Sequence, residues 1–166
     1  SIGQWGMHLA NVIKDTQHIP VLVINGAVGG TNIRQHQRNS EESEDLSTIY
    51  GRLLWRARQA KIIAHVRAIF WHQGESDGNM SYDQYLSLWT SMYNAWIEDY
   101  PNVQGVFPFQ VRAGCANPTW NRNVHRDLPA LLPLVLGAMS TTGVNGHDQC
   151  HFYHEAYEEW GERMAR

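Results

Sequence analysis

The fold of this chain is decided by an apolar run that continues directly into a polar loop: Val66-Arg67-Ala68-Ile69-Phe70-Trp71-His72-Gln73-Gly74-Glu75-Ser76-Asp77. Residues 66–70 predict a strand, because a short and mostly apolar run is typical of a strand within a parallel sheet. Loops at the carboxyl ends of such strands bind ligands in α/β proteins. The dense set of hydrogen-bonding side chains at 71–77 therefore marks a candidate site, although polar residues that merely cap the loop are an equal alternative.

The same order of strand, loop and helix recurs on both sides of this stretch. Strands are predicted at Val21–Ile24, Val66–Phe70, Val103–Val111 and Leu134–Met139. Helices are predicted at about 3–15, 49–64, 82–96, 121–131 and 152–164. This alternation is typical of a three-layer α/β fold with a parallel sheet. Because no repeat, low-complexity tract or linker interrupts the pattern, we predict a single domain over residues 1–166.

The helix after the polar loop gives the clearest periodic signal. Ser81 and Gln84 form a capping-box pattern at its start. Large apolar and aromatic side chains then recur at helical spacing: Tyr82, Tyr85, Leu86, Trp89, Met92, Tyr93 and Trp96. Such a stripe is more often part of a core than a platform for a ligand, so we expect it to be buried.

The composition excludes several classes of protein. A hydrophobic content of 43% and a charged content of 17% are those of a folded globular chain and not of a disordered one. The formal net charge of −3 gives no basic surface for nucleic acid. No apolar run is long enough to span a membrane. Two cysteines, Cys115 and Cys150, permit one disulfide without requiring it, so the compartment stays open.

A second candidate site is Gly146-His147-Asp148-Gln149-Cys150-His151-Phe152, which follows the last predicted strand. A carboxylate three residues before an imidazole can fix the tautomer of the ring, as in the base half of a nucleophilic triad. Asp148 as the cap of the last helix is the structural alternative. A metal site built from His147, His151 and His154 is a further, weaker alternative.

Two other loops supply groups that stabilise an oxyanion. Gly30, in the small-residue loop after Val21–Ile24, can point a backbone N–H at developing negative charge, although a tight strand-to-helix turn is the favoured explanation of the glycines, since short glycine loops are common. Gln73 can donate from its amide, and Glu75 can orient an imidazole or bind a sugar hydroxyl. Because parallel strands end at one edge of a sheet, we expect the three loops to converge there.

Three blocks of the sequence resemble the SGNH hydrolase superfamily, and more narrowly its sialate O-acetylesterase and carbohydrate acetylesterase branch. They are Asn25-Gly26-Ala27-Val28-Gly29-Gly30-Thr31, Trp71-His72-Gln73-Gly74-Glu75-Ser76-Asp77, and Asp148-Gln149-Cys150-His151-Phe152 with the helix behind it. The resemblance covers nearly the whole chain, and the string from His72 to Asp77 is its most specific part.

The resemblance implies a flavodoxin-like sheet and a serine esterase that removes acetyl groups from carbohydrates without a cofactor or a metal. His151 then corresponds to the general base and Asp148 to its orienting carboxylate. Gly30 and Gln73 correspond to the oxyanion hole, with Gln73 in place of the superfamily's asparagine. Glu75 belongs to the motif of the branch and is the alternative acidic partner of His151.

The chain departs from the family at its first block, which is a strand followed by Gly-Gln-Ser-Asn and carries the nucleophilic serine. This string is absent from the 166 residues, and Ser1 does not match it, since residues 1–5 resemble the helix that precedes the second block. We therefore expect an N-terminally incomplete domain without its first strand. A non-catalytic carbohydrate-binding or structural fragment and a metal-dependent hydrolase are the alternative functions.

Overall fold

The computed structural model describes residues 4–115 and 120–165. Its helices are α1 (Gln4–Gln17), α2 (Ile49–Gln59), α3 (Tyr82–Asp99), α4 (Trp120–Leu131) and α5 (His154–Ala165), and its strands are β1 (Ala68–Trp71) and β2 (Gly105–Pro108). Two short 3₁₀ helices lie at Ile33–His36 and Ile63–His65. The chain forms two compact units: a central unit of residues 26–142 and a terminal unit of residues 4–25 and 143–165.

The strands of the central unit are parallel, as the sequence predicts. Ala68 pairs with Gly105 and Trp71 with Pro108. Val135 forms a parallel bridge to Val106 of β2, and Met139 forms one to Phe109, which follows β2, so the run predicted as the last strand is paired only at these two positions. Helices alternate with these parallel strands, and the predicted α/β fold class is confirmed.

The strand predicted at Val21–Ile24 is wrong. Residues 21–24 have no regular secondary structure, and the side chain of Leu22 is 70% exposed. A strand exists only as part of a hydrogen-bonded ladder, and within the described residues no β-pairing involves this run. The apolar pattern therefore identified a segment suited to a strand, but it could not reveal whether a neighbouring strand was present.

Helix α3 is the centre of the core of the central unit. The predicted capping box is present, since the Ser81 hydroxyl accepts from the N–H of Gln84 and the Gln84 side chain accepts from the N–H of Ser81. Trp89 is completely buried, and the ring of Trp96 lies against the ring of Trp71 on β1. The aromatic stripe is therefore core, as expected, and it fixes the position of the strand that enters the polar loop.

The terminal unit is built on the packing of α1 against α5. Gly161 allows close contact, because a Cβ at this position would lie 2.7 Å from the backbone oxygen of Trp5 and 2.8 Å from the Cβ of His8. Trp160 is completely buried beside it. Phe152, in the loop before α5, packs against Trp160, so α5 supports that loop.

Two further features bear on the sequence predictions. Neither cysteine is free, since Cys115 and Cys150 are both disulfide-bonded. Among the helices of the described residues, none combines the length and the apolar character needed to cross a bilayer.

Candidate functional site

Asp148 organises the loop that precedes α5. One of its carboxylate oxygens, Oδ1, accepts from the backbone N–H groups of Cys150 and His151, both at 2.7 Å. An antiparallel bridge between Gly146 and Phe152 closes the loop at its base. Because α5 begins only at His154, Asp148 shapes a turn of its own, and the alternative in which it caps the last helix is wrong.

The turn brings the imidazole of His151 onto the same carboxylate. Nδ1 of His151 lies 2.9 Å from Oδ2 of Asp148, and the side chain of His151 is 73% exposed. A carboxylate can only accept a hydrogen bond here, so the proton of the neutral ring lies on Nδ1 and Nε2 is the basic nitrogen. The hydrogen bonds from the backbone of His151 and Cys150 hold the pKa of Asp148 well below its usual range, so the carboxylate stays ionised.

The glycine loop of the central unit is held by its own polar residues. Gly30 has φ +73°, a left-handed conformation that favours glycine, and open space surrounds the position of a Cβ there. Asn32 caps the following 3₁₀ helix with a complete capping box that includes Gln35. The hydroxyl of Thr31 donates to the carbonyl of Val28 at 2.7 Å. These contacts fix the backbone on both sides of Gly30.

Gln73 and Asp77 tie the glycine loop to the polar loop after β1. Nε2 of Gln73 donates to the carbonyl of Thr31 at 3.0 Å and, in a short hydrogen bond, to the Asp77 carboxylate. That carboxylate also accepts from the N–H of Ile33, at 3.2 and 3.1 Å to its two oxygens. The two loops therefore meet in the central unit and are joined by buried polar contacts, which we call the Gln73–Asp77 clamp.

The clamp occupies both N–H groups of the Gln73 amide. Its two partners, a carbonyl and a carboxylate, are acceptors. The NH₂ group of the amide must therefore face them, because the amide oxygen cannot donate. An oxyanion donated to by Gln73 would have to displace the carbonyl of Thr31 or the carboxylate of Asp77. Burial raises the pKa of Asp77, and the hydrogen bonds from Gln73 and Ile33 oppose that rise. The predicted role of Gln73 stays a prediction.

Buried residues of α3 and α4 support the polar loop that follows β1. The hydroxyl of Tyr85 lies 3.0 Å from Nε2 of His125 and 3.3 Å from the carbonyl of Gln73, and both rings are completely buried. Asn121 donates from its amide to the carbonyl of Gly74. Helices α3 and α4 thus hold the start of the loop from two sides.

Glu75 pairs within its own loop. Its carboxylate oxygen Oε1 lies 3.3 Å from Nε2 of His72, and both side chains are partly buried. Burial lowers the pKa of His72, while the nearby charge of Glu75 opposes that effect. The predicted role of Glu75 as the alternative partner of His151 stays a prediction.

The buried histidines make stability depend on pH. Desolvation lowers the pKa of His125 to about 3 and that of His36 to about 4, from an ordinary value near 6.5. The unfolded chain therefore takes up protons first, so their contribution is intact above about pH 6.5 and is lost as the pH falls. We expect each of these histidines to cost up to about 1.4 kcal/mol per pH unit below 6.5. Urea unfolding at pH 7, 6 and 5 measures this slope.

The variant His125→Gln tests whether His125 causes this pH dependence of the unfolding free energy. Its side chain cannot titrate but keeps a polar group facing Tyr85. We expect it to flatten the dependence of the unfolding free energy on pH. Asp77, whose pKa is raised by burial, acts in the opposite direction and makes the slope shallower than the histidines alone would give. An unchanged slope in His125→Gln would show that His125 is already accessible to protons in the folded state.

The metal alternative has no support in the geometry. Across the described residues, no group of three or more histidine, cysteine, aspartate or glutamate side chains is close enough to hold a metal ion. His147 instead approaches Asp148, with Nδ1 at 3.5 Å from Oδ2, and His154 lies 3.6 Å from Glu158.

Comparisons with known proteins identify the family of the chain. The family model of carbohydrate esterases, sialic acid-specific acetylesterases, matches residues 2–166. The chain belongs to this family. A comparison with curated proteins gives no match.

A solved structure shares the fold. A protein from Arabidopsis thaliana, solved by X-ray crystallography at 1.6 Å, superposes with a TM-score of 0.78 at 22% sequence identity. The match covers 96% of this chain and 65% of that one, so this chain spans less than two thirds of its neighbour's length.

Several residues of the site were not predicted from the sequence. Asp77 lies within the motif loop, but its backbone partner Ile33 is distant in sequence. His125 and Asn121 lie on α4, where no motif marks them, and only their burial identifies them. The residues that were not predicted support the loops from other parts of the chain. The residues that were predicted lie within the sequence motifs.

Proposed function

We propose that the complete protein is a carbohydrate O-acetylesterase that hydrolyses acetyl esters on sugars, sialic acids among them, through a serine nucleophile. The observation that carries the proposal is the pair Asp148–His151, in which an ionised carboxylate holds Nδ1 and leaves Nε2 of an exposed imidazole as the base. Membership of the carbohydrate esterase family supports the class of substrate.

In the proposed reaction, the serine hydroxyl attacks the carbonyl carbon of the acetyl ester while Nε2 of His151 accepts its proton. Asp148 stabilises the imidazolium that results. Gly30, through its backbone N–H, and Gln73, once the oxyanion displaces the carbonyl of Thr31 or the carboxylate of Asp77 from its amide, stabilise the tetrahedral oxyanion. As the bond between the acetyl carbon and the sugar oxygen breaks, the imidazolium protonates that oxygen and the sugar leaves with a hydroxyl. A water molecule activated by His151 then releases acetate from the acyl-enzyme.

The nucleophile is the part of the proposal that this sequence does not contain. The family's Gly-Gln-Ser-Asn string is absent from the 166 residues, so we place the serine in residues that precede them in the complete protein. The experiment compares ester hydrolysis by residues 1–166 with hydrolysis by the same chain carrying its natural upstream sequence. We expect only the longer chain to hydrolyse p-nitrophenyl acetate and acetylated sialic acid, and to react with a fluorophosphonate probe.

Two outcomes would contradict parts of the proposal. Full activity of the short chain, with no gain from the upstream residues, would show that the nucleophile lies within residues 1–166. Inactivity of both chains, together with retained binding of carbohydrate, would favour the non-catalytic alternative.

Gln73→Ala tests the oxyanion hole. Loss of one oxyanion donor lowers turnover by about 10²–10³-fold, and we expect a decrease of this size in kcat with a smaller change in KM. The same change also removes two hydrogen bonds of the Gln73–Asp77 clamp, so stability must be measured beside the rate.

Gln37→Ala is the matched control for that variant. The Gln37 amide donates to the carbonyls of Ile33 at 3.1 Å and Leu88 at 3.2 Å, so its removal also costs the loop two hydrogen bonds. We expect a comparable loss of stability in both variants but unchanged turnover in Gln37→Ala. Equal turnover in the two variants would reduce Gln73 to a structural role.

A further inference from the structure

Arg122 lies in the first turn of α4, and two hydrogen bonds hold its backbone there. The Gln110 side chain donates to its carbonyl at 3.0 Å, and its own N–H donates to the amide oxygen of Asn121 at 3.0 Å. Asn121 in turn donates to the carbonyl of Gly74 in the motif loop. The backbone of Arg122 is thereby fixed between the end of β2 and the candidate site.

The guanidinium of Arg122 is anchored by one of its three nitrogens. Nη1 donates to the carbonyl of Val111 and to the hydroxyl of Thr141, at 3.3 Å in the second case. Val111 follows β2, and Thr141 follows the segment that pairs with it, so the group lies at the carboxyl edge of the sheet, where α/β proteins bind ligands. Within the described residues, Nε and Nη2 make no hydrogen bond, and neither is fully buried.

This cation has no acidic partner in the part of the chain that the structure describes. Four other arginines form ion pairs with carboxylates: Arg38, Arg58, Arg126 and Arg163. Arg122 is half-buried, and desolvation lowers its pKa, yet no carboxylate lies within 4.0 Å of it. A partly desolvated charge without a counter-ion is costly, and such charges concentrate at functional sites.

The charge also acts on the candidate site itself. Arg122 and His72 both contribute to the lowered pKa of His125, after the larger effect of desolvation. Arg122 therefore lies close enough to the support of the motif loop for its field to be felt there. The carboxylate of Glu75 is paired with His72, so it does not serve as the counter-ion of Arg122.

We propose that Arg122 is the specificity-determining residue that binds the carboxylate of an acidic sugar substrate. The edge formed by Nε and Nη2 matches the two oxygens of a carboxylate, and the anchored Nη1 holds this edge in place. The inference rests on the proposed function for the nature of the ligand, and it assigns to the site a preference for acidic over neutral acetylated sugars.

The experiment is a binding titration followed by NMR, with N-acetylneuraminic acid and with its methyl ester as ligands of the 166-residue chain. We expect the free acid to bind at least about tenfold more tightly than the ester, the typical size of a charge-assisted hydrogen-bond pair. In Arg122→Gln this difference should disappear. Arg126→Gln is the matched control, because it removes a charge from the same helix, where Arg126 is exposed and paired with Asp127.

Arg122→Lys keeps the test decisive if the glutamine variant fails to fold, since a lysine ammonium can still donate to the carbonyl of Val111. It retains the charge but loses the planar edge, and we expect the affinity for the acid to fall several-fold. Equal binding of acid and ester to the wild-type chain, no binding of either, or full affinity in both variants would overturn the proposal. Binding needs no nucleophile, so a selective response by the 166-residue chain, together with no ester hydrolysis by the chain that carries its natural upstream sequence, would reject the esterase function and leave the role of Arg122 standing.

Discussion

Asp148→Asn is expected to lower kcat for acetyl-ester hydrolysis by an amount on the order of 10⁴-fold, the effect of converting the orienting carboxylate of a serine hydrolase into an amide. The reason is the tautomer of His151. An asparagine oxygen can still accept from the N–H groups of Cys150 and His151, so the turn persists. Its NH₂ group would then face Nδ1 of the ring, which must become an acceptor and leave the proton on Nε2. The measurement is steady-state hydrolysis by the form of the protein that contains its nucleophile.

Two further variants show whether the effect is specific to Asp148. His147→Gln alters the other ring that approaches Asp148, at 3.5 Å, and we expect its turnover to stay near that of the wild type. Glu75→Gln tests the alternative acidic partner. If Glu75→Gln abolishes turnover while Asp148→Asn retains it, the roles assigned to the two carboxylates must be exchanged.

Gly74→Ala is expected to destabilise the central unit by about 2–5 kcal/mol, which combines overpacking with backbone strain. The new Cβ would lie 2.8 Å from Cγ1 of Val111, 3.1 Å from the Asn121 amide nitrogen and 3.2 Å from the Tyr85 hydroxyl. The φ of +142° is, in addition, one that side chains rarely adopt. Urea unfolding, followed by tryptophan fluorescence, measures the loss.

The matched control is Gly30→Ala, the same chemical change at a glycine of the neighbouring loop. Its φ of +73° is also left-handed, but no atom lies within 4 Å of the new Cβ. We expect only the strain of a left-handed residue, about 1–2 kcal/mol. A loss at Gly74 no greater than at Gly30 would show that the polar loop yields easily, and that the contacts around Gly74 do not hold it.

The sequence was informative wherever a local pattern has a local cause. Asp148 and His151 are three residues apart, and a single turn suffices to join them. The capping box and the aromatic stripe of α3 likewise follow from helical spacing. The alternative that made Asp148 a helix cap failed because five loop residues, 149–153, separate it from the start of α5 at His154.

The sequence was uninformative wherever the partner lies far along the chain. Asp77 meets Ile33 across 44 residues and Tyr85 meets His125 across 40, and no spacing rule links such pairs. The run Val21–Ile24 failed for a related reason: its composition suits a strand, but a strand also requires a neighbour. Local chemistry could therefore be predicted, whereas the buried polar support of the loops could not.

The bridge between Gly146 and Phe152 has a consequence for how this protein can change over time. The ring of Phe152 is buried, and its centroid lies 4.4 Å from that of Trp160, so the base of the Asp148–His151 turn is anchored in apolar aromatic packing. The orientation of the His151 imidazole therefore depends on the volume of the Phe152 and Trp160 rings. Substitutions that change the volume of these rings would displace the imidazole even though Asp148 and His151 themselves were unchanged.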